Sequence, residues 1–109
     1  MTGAMSRRKG STGELEFCRV LAAHGWPNAQ RTADGRAQHE RGDIAGGPAG
    51  FHLEVKRRER LEIVKWCYQA ETEARPTDIP AVVFRTSRQP WRMVMLADDL
   101  LPVLALRDR

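Results

Sequence analysis

Asp43, Glu54 and Lys56 are the residues of this chain whose types and spacing could do chemistry. Glu54 and Lys56 lie in the run Phe51-His52-Leu53-Glu54-Val55-Lys56, where apolar and polar residues alternate. A period of two marks a strand with one face in a core, so the carboxylate and the amine share the opposite face. Upstream, Asp43-Ile44-Ala45-Gly46 is joined to this run by the turn-rich Gly47-Pro48-Ala49-Gly50. A tight hairpin closed by that quartet sets Gly46 against Phe51, Ile44 against Leu53 and Asp43 against Glu54. Two carboxylates facing each other across a ladder repel. A divalent cation with oxygen ligands relieves the repulsion.

Mg²⁺ suits such a site, with Mn²⁺ as its substitute, because it needs only one or two protein carboxylates beside substrate phosphates. Asp43 and Glu54 supply them, and the backbone carbonyl of Val55 adds a third oxygen. A cation held there lowers the pKa of a bound water and stabilises charge on an attacked phosphoryl group. Lys56 is placed to hold the attacking water and to offset charge developing on the phosphate. The chemistry is metal-assisted phosphodiester hydrolysis. An E-x-K triplet alone is common on exposed strands, where it makes only weak surface pairs. Here it comes with an aspartate in register, alternating burial and a further glutamate upstream.

That glutamate is Glu14. The stretch ending at Gly25-Trp26-Pro27 reads as a helix capped by Ser11 or Thr12, with Leu15, Phe17, Cys18, Leu21 and Ala22 on its apolar face. Glu14 falls near the centre of that face, and Glu16 points away from it. Two readings of Glu14 stand: a charge that stabilises its own helix N-terminus, or a carboxylate completing the Asp43/Glu54 pocket, directly at a second metal or through a water.

The remaining elements frame this group. Met1–Met5 carries no pattern and is read as unstructured, residues 1–8 as a flexible basic arm, and residues 9–109 as one domain. Residues 28–32 form a weak strand, and Ala33–Arg41 is polar, unpatterned and read as a mobile surface loop. A helix spans residues 61–74 with Ile63, Trp66, Cys67, Ala70 and Ala74 buried and Gln69 to one side. Residues 80–85 form the central strand and residues 91–96 another. A last short helix is capped by Asp98 or Asp99, with Pro102 in its first turn. The fold class is α/β, a single domain with a mixed sheet of about five strands flanked by helices.

Composition narrows the rest. Of 109 residues, 41% are hydrophobic and 29% charged, an ordinary balance for one globular domain. The net charge of +4 comes from an arginine-rich excess, compatible with phosphate binding. Arg7, Arg8 and Lys9, with Arg57 and Arg58 after the lysine, are candidate phosphate contacts, or else solvated charges. Cys18 and Cys67 read as free buried thiols in a reducing compartment. No apolar run reaches membrane-span length, so an intracellular, cytoplasmic place is expected. His24 reads as a helix C-terminal partner, His39 as a loop residue that could touch DNA, and His52 as a neighbour of Glu54; no histidine spacing suggests zinc. Trp66, Trp91, Met93 and Met95 belong to a core or to an interface.

Gly42-Asp43-Ile44 followed by Glu54-Val55-Lys56 resembles the D…E-x-K core of the PD-(D/E)XK nucleases. The fuller pattern, Lys9-Gly10-Ser11, Glu14, Gly25-Trp26, Arg31, Asp43 and Glu54-Val55-Lys56, is similar to archaeal-type Holliday junction resolvases and their phage relatives. The resemblance implies a restriction-endonuclease-like fold and an Mg²⁺-dependent hydrolase of DNA recombination and repair. It implies a homodimer that nicks four-way junctions, working in the host cytoplasm if phage-encoded. It also implies that Glu14, Asp43 and Glu54 are metal-site carboxylates, that Lys56 is the catalytic lysine, and that Lys9, Ser11 and Arg31 lie near the scissile backbone. Two other readings remain open: a general phage or restriction-like nuclease without junction preference, and a non-catalytic DNA-binding module.

Overall fold

The computed structural model describes residues 3–32 and 42–109, with side chains from Thr12 onward. Helix α1 runs Gly3–Ala23. Its start lies well before the expected Ser11 or Thr12 cap, and Arg7, Arg8 and Lys9 belong to its first turns. Methionine, alanine, lysine and arginine are good helix formers, and the interior glycines Gly10 and Gly13 cost only about 1 kcal/mol each. Gly25, at φ 108°, turns the chain out of the helix, and the Trp26 N–H returns to the Leu21 carbonyl at 3.0 Å.

Strands β1 (Gln30–Arg31) and β2 (Ile44–Ala45) pair antiparallel as a small ribbon. Strand β3 (Phe51–Arg57), helix α2 (Ile63–Glu73) and strand β4 (Ile79–Arg85) follow, then β5 (Arg92–Met95) and helix α3 (Ala97–Arg107). Among the described residues the five strands divide into that ribbon and a mixed three-stranded sheet in the order β3-β4-β5. β3 and β4 run parallel, with Glu54 beside Val82, and β5 returns antiparallel. Two parallel strands need a crossover, and α2 supplies it.

With α1 opposite this crossover, helices cover both faces of the sheet. Phe17, Cys18 and Leu21 of α1 pack on Leu53, Val55, Ala81 and Val83, while Trp66 and Ala70 of α2 pack on Val82 and Phe84. Two expectations fall with this arrangement. β3 was expected to bury one face only, yet His52 and Glu54 are 0% and 4% exposed, because α2 lies over them. Leu15, expected on the buried face of α1, is 47% exposed.

The expected hairpin between Asp43 and Phe51 does not form. Gly42 instead makes a single parallel bridge to Leu53, and β2 pairs with β1. The glycines between serve close packing: a Cβ at Gly46 would lie 2.4 Å from the Asn28 carbonyl oxygen, and one at Gly47 would touch Leu21, Ile44 and Leu53. The loop folds against α1 and β1 instead of closing a two-stranded turn. In α3 the capping position is held by Leu96, Asp98 and Asp99 sit in the first turn, and Pro102 lies beyond it. The aspartates therefore act on the helix dipole without a side-chain cap. The proline removes one N–H from the helix ladder.

Candidate active site

Asp43 reaches β3 through a contact that only glycine permits. Gly42 has φ 75°, and a Cβ there would stand 2.5 Å from the Leu53 carbonyl oxygen. With no side chain in the way, the Asp43 N–H donates to Leu53 O at 2.8 Å, and Asp43 Oδ2 accepts from the Val55 N–H at 2.8 Å. Thr32 braces the far side, its N–H donating to Asp43 O and its hydroxyl to Gly42 O, each at 3.0 Å. The carboxylate is thus clamped on the free edge of β3. In an extended strand the N–H and C=O of one residue leave on the same side, so the Val55 carbonyl faces this edge too.

Glu54 meets Asp43 from the α2 face of the same strand. Asp43 is pushed up from 3.8 to about 6, by burial first and by the Glu54 charge second. The Val55 N–H and the Lys56 ammonium pull the other way without winning. Two neighbouring buried carboxylates that repel each other are a donor set a divalent cation fits, since the ion offsets both charges. The other Glu54 oxygen environment is His52, whose Nε2 lies 2.9 Å from Oε1. His52, Glu54 and Glu73, at the end of α2, each offer a ligand atom within 4.8 Å of the others.

Glu14 projects from α1 toward the pair. Burial, then the Asp43 charge, raises its pKa, and Glu54 adds to this. Arg31 Nε donates to Glu14 Oε1 at 3.0 Å and opposes the rise. The half-buried Lys56 shares the strand face of Glu54. The carboxylates and the lysine expected from the sequence therefore converge, although the pairing expected to bring them together is absent. The parallel bridge does the same work, setting Asp43 one step beyond Leu53.

Over residues 5–107 the chain matches the family described as "Phage putative PDDEXK endonuclease". The chain belongs to that family. No curated protein and no solved structure matches it. Membership in a PDDEXK endonuclease family assigns the chain to the nucleases, and its α/β fold agrees with a restriction-endonuclease-like architecture. Among the described residues no helix is long and apolar enough to cross a membrane.

Other expected site residues separate into groups. The side chains of Arg7, Arg8, Lys9 and Ser11 lie outside the described residues, as do His39 and the whole Ala33–Arg41 segment. Arg57 is tied to Glu16, Nε to Oε2 at 3.3 Å, and Arg58 bonds the Arg57 carbonyl. Glu16, expected to point away from the apolar face of α1, also holds Arg85 at 3.4 Å. The ion pairs of Glu16 arise because β3 and β4 end in arginines beside α1, which the helical periodicity of α1 cannot register. Glu73 went unremarked, yet it lies seven residues after Trp66 and three after Ala70, the spacing of the buried stripe. His24 Nδ1 bonds the Val20 carbonyl at 2.8 Å, as a helix C-terminal partner does. Cys18 is buried and Cys67 half-buried, both free.

Proposed function

We propose that this PDDEXK-family chain is an Mg²⁺-dependent DNA endonuclease that cuts four-way junctions as a homodimer. The observation that carries the reading is the clamped Asp43 carboxylate beside buried Glu54, with the Lys56 amine in reach of their field. Asp43, Glu54 and the Val55 carbonyl would hold the cation, with Glu14 on its flank or at a second ion. Bound there, a divalent cation supplies Lewis-acid stabilisation of charge on the phosphate. Lys56 orients a water toward phosphorus and offsets negative charge as the bond to the leaving oxygen breaks. Arg31, held against Glu14, would meet the scissile backbone, as the sequence resemblance implies. Junction selectivity rests on the sequence resemblance to resolvases, and the arginine-rich excess supports a nucleic-acid substrate.

A labelled four-way junction and a linear duplex of the same arms test this. Paired, symmetric cuts in the junction that need Mg²⁺ or Mn²⁺ and vanish in chelator are the expected result. Equal cutting of both substrates would leave a general nuclease. Cutting that persists in excess chelator removes the metal mechanism. Lys56→Ala and Glu54→Gln should abolish cleavage with DNA binding retained. If no nucleic acid is cut with either metal, the chain is a binding module.

A further inference from the structure

Helix α3 has an apolar surface that the other described residues leave open. It contains Leu100, Leu101, Val103, Leu104 and Leu106 in eleven residues, yet none of its residues is buried. A helix apolar on most of its circumference is normally enclosed. Leu100, Val103 and Leu106 are 38%, 44% and 61% exposed. At 100° per residue these three fall on one side of α3, and Asp99 and Arg107 fall on that same side at its two ends.

We propose that this side of α3 is the contact of a symmetric dimer in which α3 packs antiparallel against α3 of a second copy. The charge pattern selects the occupant. With Val103 on the two-fold axis, Leu100 of one copy meets Leu106 of the other, and Asp99 meets Arg107, twice per dimer. Parallel packing would instead set Asp99 against Asp99 and Arg107 against Arg107, which repel. The stripe is self-complementary only in the antiparallel sense, as an isologous interface requires. One short helix falls below the roughly 800 Å² per partner of a standard interface. Leu96 and Met93, 47% and 49% exposed, extend the patch toward β5, an edge strand of its sheet. The inference rests on the homodimer reading above and gives it a surface.

Charge reversal with mass measurement by light scattering tests it. The unaltered chain should have twice the 12.3 kDa of one copy. D99R puts two guanidinium groups at each end of the interface, and R107D puts two carboxylates there. Either variant alone should raise the dissociation constant by about tenfold or more. An equimolar mixture of the two should dimerise again, because both contacts are then opposite in sign. That recovery separates lost association from lost folding. V103E, which sets two carboxylates on the axis, should be monomeric with an unchanged circular dichroism spectrum. A monomeric unaltered chain overturns both the surface and the homodimer. A dimer indifferent to these substitutions, or a mixture that stays monomeric, overturns the surface alone.

Discussion

His52 Nε2 and Glu54 Oε1 lie 2.9 Å apart inside the sheet–α2 layer, with side chains 0% and 5% exposed. The imidazole N–H donates to a carboxylate that water barely reaches, and it fixes the rotamer that points Glu54 at Asp43. His52→Leu fills the space but leaves that carboxylate oxygen without its donor, a cost of about 1–3 kcal/mol. Outer-sphere donors of this kind also support metal affinity, by about tenfold to a hundredfold. The expectation is a lower denaturation midpoint and weaker Mn²⁺ binding by calorimetry, with His52→Gln, which keeps a donor, recovering part of both. Unchanged Mn²⁺ affinity in His52→Leu would show that the histidine does not position Glu54.

This pair also shows what the sequence could tell. The alternation from Phe51 to Lys56 named β3, its residues and the side shared by Glu54 and Lys56. It could not say that the side is covered, because α2 reaches it only through the parallel crossover to β4, a long-range choice. The Asp43 partnership was legible as chemistry and misread as topology: two acids and a glycine-rich link fit a hairpin as well as a parallel bridge. What separates them is packing of Gly46 and Gly47 against Asn28 and Leu21, residues far away in sequence. The ion pairs of Glu16 with Arg57 and Arg85 were out of reach for the same reason.

Asp43 makes the fold respond to pH in a defined direction. Unfolded, it titrates at its ordinary 3.8; folded, it is raised to about 6. A group raised by folding holds its proton more tightly in the native state. Its contribution is therefore complete below 3.8 and is lost as pH climbs through about 6. The loss is about 3 kcal/mol at most, and Glu14, raised by the same causes, adds in the same sense. In chelator the chain should melt lower at about pH 7 than at about pH 5. Mg²⁺ should restore the difference at the higher pH, because it binds the deprotonated pair. Thermal melts across this range, with and without Mg²⁺, check the sign; a chelated chain that gains stability with rising pH contradicts it.

Arg57 was a candidate phosphate contact, and its ion pair with Glu16 points to structure instead. Arg57→Ala should lower stability by about 1 kcal/mol, between the values of exposed and buried pairs. DNA affinity and its salt dependence should hardly move. Glu16→Ala should cost more, since it strips Arg57 and Arg85 of one shared partner. Filter binding at several salt concentrations decides: a salt slope reduced by about one unit in Arg57→Ala would return that residue to the DNA contacts.

Gly13 sets how closely α1 approaches the end of β3. A Cβ added there would stand 2.8 Å from the Cβ of Arg57. Replacing a helical glycine by alanine ordinarily gains about 1 kcal/mol. Here the neighbour is the first side-chain atom of a strand residue, which cannot swing away, so α1 or β3 must shift. Overpacking of this kind costs about 1–3 kcal/mol, and Gly13→Ala should come out destabilised. Thr12→Ala, at an exposed position one residue earlier, raises helix propensity without a clash and should be neutral or better. The displacement also has a functional reading. Glu14 follows Gly13 directly, so moving α1 outward draws its carboxylate away from Asp43 and Glu54. Gly13→Ala should therefore weaken Mn²⁺ binding along with stability, whereas Thr12→Ala should leave both intact. Denaturation midpoints and Mn²⁺ titrations of the two variants measure this; a Gly13→Ala chain as stable as Thr12→Ala would mean that the helix is free to move off the strand at no cost.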